Sequence, residues 1–324
     1  MNIAIVKLSA LGDIIQSAFV VQFIKEAFPK SKLHWFVEEK FSEVLKGVEG
    51  IDRVCSVNLS RLKKSPLSIV DEIKKVRSYG YYDLVIDMQG LIKSAMVARL
   101  LSDDVRGFSR KGLREKQAAW FYKRGYDIAY ETPTTDRYRL LVSFALDFTL
   151  SKERVLAKKP YMCAEKAFDF LPENPFALFV VGSTWQSRIY PKEQFAKVAQ
   201  GLDMPVVVAH GNDAEYAFAR YLAEVSENVT PLPKLSLSEL KAVVSRSALV
   251  VGNDTGPTYL GWACNIPSVI LFGPTPPVRV YADRRTRLLK SGSHVNPLKL
   301  NKEDYSIKEI TPDEILEAIR EVMR

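Results

Sequence analysis

Residues 2–17, NIAIVKLSALGDIIQS, decide the fold class. The β-branched run at 3–6 is followed by Gly12 and Asp13, and from Ile14 the apolar residues recur at helical spacing. The segment therefore reads as strand, tight turn and helix. Working outward, further strands are expected at 33–37, 54–57 and 84–87, with amphipathic segments at 14–27, 67–78 and 91–101 between them. That alternation builds βαβ units on a parallel sheet.

A second series follows the Lys-rich, Pro-punctuated passage 151–175. Strands are expected at 177–181, 206–209, 249–252 and 268–272, with helices from Pro191, at 214–225, at 237–246 and after Gly256. Residues 109–150 carry helical spacing, and Thr311, Pro312 and Glu314 mark the start of a terminal helix. A chain of 324 residues exceeds the ~250–300 residues of one core. Two doubly wound α/β domains are expected, 1–160 and 170–308, facing each other across a cleft. Ligands of such sheets bind beyond the carboxyl ends of the strands, which directs attention to those loops.

Charge is divided unequally. Residues 1–160 hold 28 Lys and Arg against 19 Asp and Glu, whereas residues 161–324 hold 18 against 19, so the basic excess sits in the first half. One cluster is Arg61, Lys63 and Lys64; another comprises Arg110, Lys111, Arg114, Lys116, Lys123 and Arg124. Clustered cations either collect an anionic ligand or form a solvated face. No helix-turn-helix, zinc-finger or RNA-binding signature accompanies them, which argues against nucleic acid. The three cysteines lie far apart without a CxxC pair, so a disulfide framework is not indicated and a reducing compartment is expected. The amino-terminal run carries Lys7 and Asp13 and reads as a strand rather than a signal peptide.

GxGxxG after the first strand, GxxxxGK[ST], GxSxG and HExxH are all missing, which removes the usual sequence support for dinucleotide enzymes, P-loop NTPases, α/β-hydrolases and zincins. Four loops carry the remaining chemistry. Asp13, in the turn allowed by Gly12, is either a helix N-cap or a general base that takes a proton from an attacking hydroxyl. Ser183, Thr184 and Arg188 leave the second domain's first strand, where a guanidinium could clamp a diphosphate. Glu215 follows the next strand, where an acid accepts from ribose hydroxyls. Asp254, Thr255 and Gly256 open a helix whose N-terminus suits a phosphate; Asp254 itself would repel one, and so orients Thr255, a cation or a ligand hydroxyl, or caps the helix.

Taken in order, VKLSALGDIIQS at 6–17, FVEE at 36–39, DMQGLIKSA at 87–95, LREK at 113–116, GSTWQSRIYP at 182–191, LPKLSL at 232–237, NDTGPTYL at 253–260 and LFGPT at 271–275 resemble the ADP-heptose:lipopolysaccharide heptosyltransferases. The resemblance implies the GT-B architecture of two Rossmann-like domains, with the terminal helix 311–324 returning to the first. It implies inverting transfer of L-glycero-D-manno-heptose from ADP-heptose to the inner Kdo of Kdo-lipid A, without a metal or other cofactor. The SALGD and DMQGLIKSA segments favour the enzyme adding the first heptose over the one adding the second. Asp13 falls on the catalytic base; Ser183, Thr184, Arg188, Glu215, Lys234, Leu235, Asp254, Thr255 and Gly256 fall on donor positions, with Ser236 beside them. Ser9, Gly12, Arg61, Lys63, Lys64 and Arg114 fall on acceptor positions. Arg188 stands where many members carry lysine, and Tyr259 where the family has histidine. A cytoplasmic monomer touching the inner membrane from its cytoplasmic face is implied. A transferase for another nucleotide sugar and a non-catalytic anionic-lipid or nucleic-acid binding protein are the alternatives.

Overall fold

The computed structural model describes residues 1–59 and 68–324. The chain divides into two units, Met1–Tyr161 and Met162–Arg324. In the first, strands β1 (Asn2–Val6), β2 (Lys32–Glu38), β3 (Arg53–Val57), β4 (Leu84–Asp87), β5 (Val105–Phe108) and β6 (Arg124–Tyr126) form one parallel sheet in the order β3-β2-β1-β4-β5-β6. Helices α1 (Leu11–Ser17), α2 (Val20–Ala27), α3 (Ser68–Ser78), α4 (Ile92–Leu101), α5 (Thr134–Leu146) and α6 (Lys152–Leu156) connect and flank the strands.

The second unit repeats the topology. Its strands β7 (Ala177–Val180), β8 (Val206–Ala209), β9 (Val229–Pro231), β10 (Leu249–Asn253), β11 (Ser268–Phe272) and β12 (Thr286–Lys290) lie in the order β12-β11-β10-β7-β8-β9. Its helices are α7 (Lys192–Gln200), α8 (Asp213–Val225), α9 (Leu237–Arg246), α10 (Gly256–Ala263) and α11 (Pro312–Val322). The winding direction reverses between β1 and β4 in one sheet and between β7 and β10 in the other. Those two positions are the switch points where doubly wound sheets receive ligands. Central strands are buried on both faces, as helices on both sides require: β4, β7, β10 and β11 have no exposed residue.

Four expectations are corrected. The helix expected over 14–27 is two helices broken at Ala18 and Phe19, and the first begins at Leu11. Residues 109–150 contain short 3₁₀ turns and β6 before α5, the one long helix there. Pro191 is the N-cap of α7 rather than its first residue. The terminal helix α11 does not join the first unit: Ile315, Ala318, Ile319 and Val322 pack into the second unit's core beside Phe195 and Leu271. Gly201 makes room for Leu316, because a Cβ there would come within 2.7 Å of that side chain. Arg287 Nε also pairs with Glu321 at 2.6 Å. The start of α11 is as expected, with Thr311 N–H donating to Glu314 Oε2 at 2.6 Å.

Candidate active site

In the first unit β1 and β4 end side by side, with Val6 in register with Asp87. Asp13 is the third residue of α1 rather than its N-cap. Its carboxylate reaches back to the Ala10 N–H at 3.3 Å, which satisfies a helix-end donor and lets the helix start before Ile14. Gly12 consequently lies within the first turn of α1 and not in the connecting turn. The Asp13 side chain is 27% exposed and lies 3.9 Å from Lys7 Nζ, whose side chain is only 4% exposed. Lys7 also sits over the Tyr138 ring, 5.2 Å from its centroid. The result is an accessible carboxylate with an occluded positive charge beside it.

Ser9 is held against the end of β4, its N–H donating to Gln89 Oε1 at 3.1 Å. Asp87 is fully buried and accepts from the N–H groups of Gln89 and Gly90, from Ser94 Oγ at 2.9 Å and from Tyr122 at 2.7 Å. Gly90 has φ +71°, and a Cβ on it would meet Leu113 at 2.7 Å. Arg114 is exposed in the adjoining segment. The other three acceptor candidates, Arg61, Lys63 and Lys64, lie outside the described residues.

In the second unit the switch point between β7 and β10 gathers several of the donor candidates. Asn253, fully buried at the end of β10, donates to Val181 O at 2.7 Å and accepts from Tyr190 N–H at 3.1 Å. This ties the loops after the two strands together. Asp254, 2% exposed, pairs with Arg188 at 2.6 Å through Oδ2, which also accepts from Thr275 Oγ1 at 2.6 Å. Its Oδ1 accepts from the Tyr259 hydroxyl. Burial, and then the Asp254 charge, push the Tyr259 phenol well above its ordinary value, so it remains a donor. Of the options open for Asp254, orienting a cation is the one realised, and that cation is Arg188. Tyr259 has its hydroxyl committed to the protein's own carboxylate.

Arg188 keeps a free edge. Its Nη2 is engaged by Asp254, while its Nε is buried without a partner among the described residues, as are the hydroxyls of Ser183 and Ser187. Buried polar atoms are nearly always satisfied, so three orphans beside one switch point mark a place for an oxygen-rich ligand. Thr255 is the N-cap of α10 and makes no side-chain cap bond, and Gly256 is that helix's first residue. Thr184 is exposed in the same loop after β7.

Glu215 connects this site to its neighbour. Its carboxylate accepts from Gly211 N–H at 2.7 Å and Asn212 Nδ2 at 2.8 Å, and lies so close to Gly182 that a Cβ there would overlap it. Next to it is a cavity of about 510 Å³ lined by His210, Asn212, Tyr216, Leu232 and Lys234, within the range of small-ligand sites. His210 Nε2 donates to the Leu232 carbonyl at 2.9 Å, and its ring stands 4.8 Å from that of Tyr216. Leu235 is half-buried, and Ser236 caps α9, accepting from Glu239 N–H at 3.2 Å.

Lys7, Gln89, Asn253, Ser187 and Thr275 were not among the residues singled out. All five do stand in quoted segments, Lys7 in VKLSALGDIIQS, Gln89 in DMQGLIKSA, Ser187 in GSTWQSRIYP, Asn253 in NDTGPTYL and Thr275 in LFGPT, which is the one signal they offered.

A family model described as glycosyltransferase family 9 (heptosyltransferase) matches residues 71–304. Lipopolysaccharide heptosyltransferase 1 of Campylobacter coli is 35% identical, with 99% of each chain covered. The protein of that name from Escherichia coli K12 is 30% identical over 93% of this chain and 97% of its own. The solved structure of E. coli heptosyltransferase WaaC with ADP-2-deoxy-2-fluoro heptose has a TM-score of 0.79 and 26% identity, covering 99% of both chains.

Proposed function

The chain belongs to glycosyltransferase family 9, the heptosyltransferases, and from that premise we propose a donor, an acceptor and a chemical role for each loop. It is a glycosyltransferase that transfers heptose in assembly of the lipopolysaccharide core, from a nucleotide-sugar donor. The donor proposed is ADP-heptose and the acceptor the inner Kdo of Kdo-lipid A. Adenosine occupies the cavity beside Lys234 and Leu235, with Glu215 accepting from the ribose hydroxyls. The diphosphate lies against Ser183, Thr184, Arg188 and the N-terminus of α10, where backbone N–H groups and the helix dipole favour negative charge. Arg61, Lys63, Lys64 and Arg114 meet the acceptor's phosphates and carboxylates, with Ser9 and Gly12 lining its approach.

The reaction is one displacement. Asp13 takes the proton of a Kdo hydroxyl as that oxygen bonds to the anomeric carbon. The bond from that carbon to the diphosphate oxygen breaks, its electron pair leaves with ADP, and the configuration inverts. Arg188 supplies positive charge to the departing diphosphate, so no metal or other cofactor is required. The observation that carries this reading is the Arg188–Asp254 pair with unsatisfied Ser183, Ser187 and Arg188 Nε atoms around it. The protein acts as a monomer on the cytoplasmic face of the inner membrane; among the described residues no helix is long and apolar enough to cross a bilayer.

The test is incubation with ADP-heptose and Kdo-lipid A in the presence of EDTA, followed by mass spectrometry and anomeric NMR. One added heptose of inverted configuration is expected. Loss of transfer on chelation would overturn the metal-free mechanism, and preference for a UDP- or GDP-sugar would overturn the donor.

A further inference from the structure

We propose that the segment 110–124 of the first unit docks the protein on an anionic bilayer, with the Trp120 indole seated among the lipid headgroups. Trp120 is 71% exposed, whereas Trp35 and Trp262 are buried. In the same segment Arg110, Arg114 and Lys116 are exposed and form no ion pair with any described residue. Lys123 approaches Asp104 only to 3.9 Å, and Lys111 is neutralised by Asp127 at 3.0 Å. A large indole in water beside uncompensated cations is the composition that partitions into a headgroup layer, where the ring finds its amphipathic level and the cations find phosphate.

The segment is tied to the first sheet. Glu115 Oε2 accepts from Ile92 N–H at 2.8 Å at the start of α4, and the Tyr122 hydroxyl donates to Asp87 at 2.7 Å at the end of β4. Ala118 is fully buried, and the Tyr122 ring fills the space left by Gly107. With inward positions packed and both ends clamped, the outward position of Trp120 is set by the fold. The uncompensated positive charge favours a bilayer over a protein partner or a second copy of this chain, which would bring the same cations against themselves. The inference deepens the proposed function, because a lipid-linked acceptor has to be met at a membrane. Its test is nevertheless separate.

The experiment is flotation of the full chain with phosphatidylcholine vesicles, with and without phosphatidylglycerol and without acceptor. The protein is expected to float with the anionic vesicles only, to be released by salt, and to show indole quenching by brominated acyl chains that Trp120→Phe abolishes. Trp120→Ala should lower partitioning, and Lys116→Gln with Lys123→Gln should lower it about fivefold per cation. Transfer to a water-soluble acceptor lacking acyl chains should be unchanged in these variants. Wild-type protein that stays unbound, Trp120→Ala that floats like wild type, or a Trp120-dependent dimer in sedimentation would each overturn the proposal. Vesicle binding without any heptose transfer would instead count against the proposed function alone.

Discussion

At the scale of single residues, the two carboxylates at the switch points have opposite designs. Asp13 is accessible, accepts from the Ala10 N–H at 3.3 Å and lies near Lys7, whereas Asp254 is buried with its oxygens taken by Arg188, Thr275 and Tyr259. The first is the proposed base; the second holds a guanidinium in place. Asp13→Asn should therefore keep the fold and ADP affinity but lower turnover by about two to four powers of ten, measured as kcat with ADP binding as the control. Tyr259→Phe should leave a buried carboxylate oxygen without its donor, at about 1–3 kcal/mol of stability. A lower urea midpoint together with reduced kcat, from a less firmly held Arg188, is expected; an unchanged kcat would detach Tyr259 from the site. Asp13 and Asp254 were legible because each stands where a β-branched run gives way to a helix, Asp13 inside the first turn of α1 and Asp254 just before α10. Thr275 was not, because it meets Asp254 from 21 residues away through the pairing of β10 with β11, a neighbour relation that local spacing does not encode.

Among the elements, the long buried strands were readable and the short edge strands were not. β6 is Arg124–Tyr126, an exposed Arg-Gly pair and a half-buried tyrosine, with neither alternation nor an apolar run to announce it. The break between α1 and α2 was equally hidden, since the apolar residues on both sides preserve helical spacing through it. The cap of α11 was more legible, because Thr311 and Glu314 stand three apart. At the start of α9, Glu239 is hydrogen-bonded by Lys166 and by Ser236, which holds its carboxyl down at about 2 against an ordinary 4.5. A depressed carboxylate stabilises the fold above its unfolded value and loses that contribution as pH falls through the folded one. The urea midpoint should therefore decline between pH 4.5 and about 2 by a component that Glu239→Gln removes, with circular dichroism as the readout.

For the whole molecule, the proposed division of labour agrees with the distribution of charge. Residues 1–160 carry the basic excess, and residues 161–324 are nearly neutral, as one polyanionic acceptor and one nucleotide sugar would require. Replacing Arg61 and Lys64 together by glutamine should raise the acceptor's KM and leave ADP affinity intact; the reverse pattern would mean the roles of the units are exchanged. Topology was legible from the alternation of strands and helices, although the attachment of α11 was not, because its apolar stripe says that it packs and not on which sheet. That attachment leaves a single covalent thread between two closed cores, crossing once at Tyr161 and Met162. Calorimetry should accordingly resolve two endotherms, and saturating ADP should move the one belonging to residues 162–324 upward while the other stays in place.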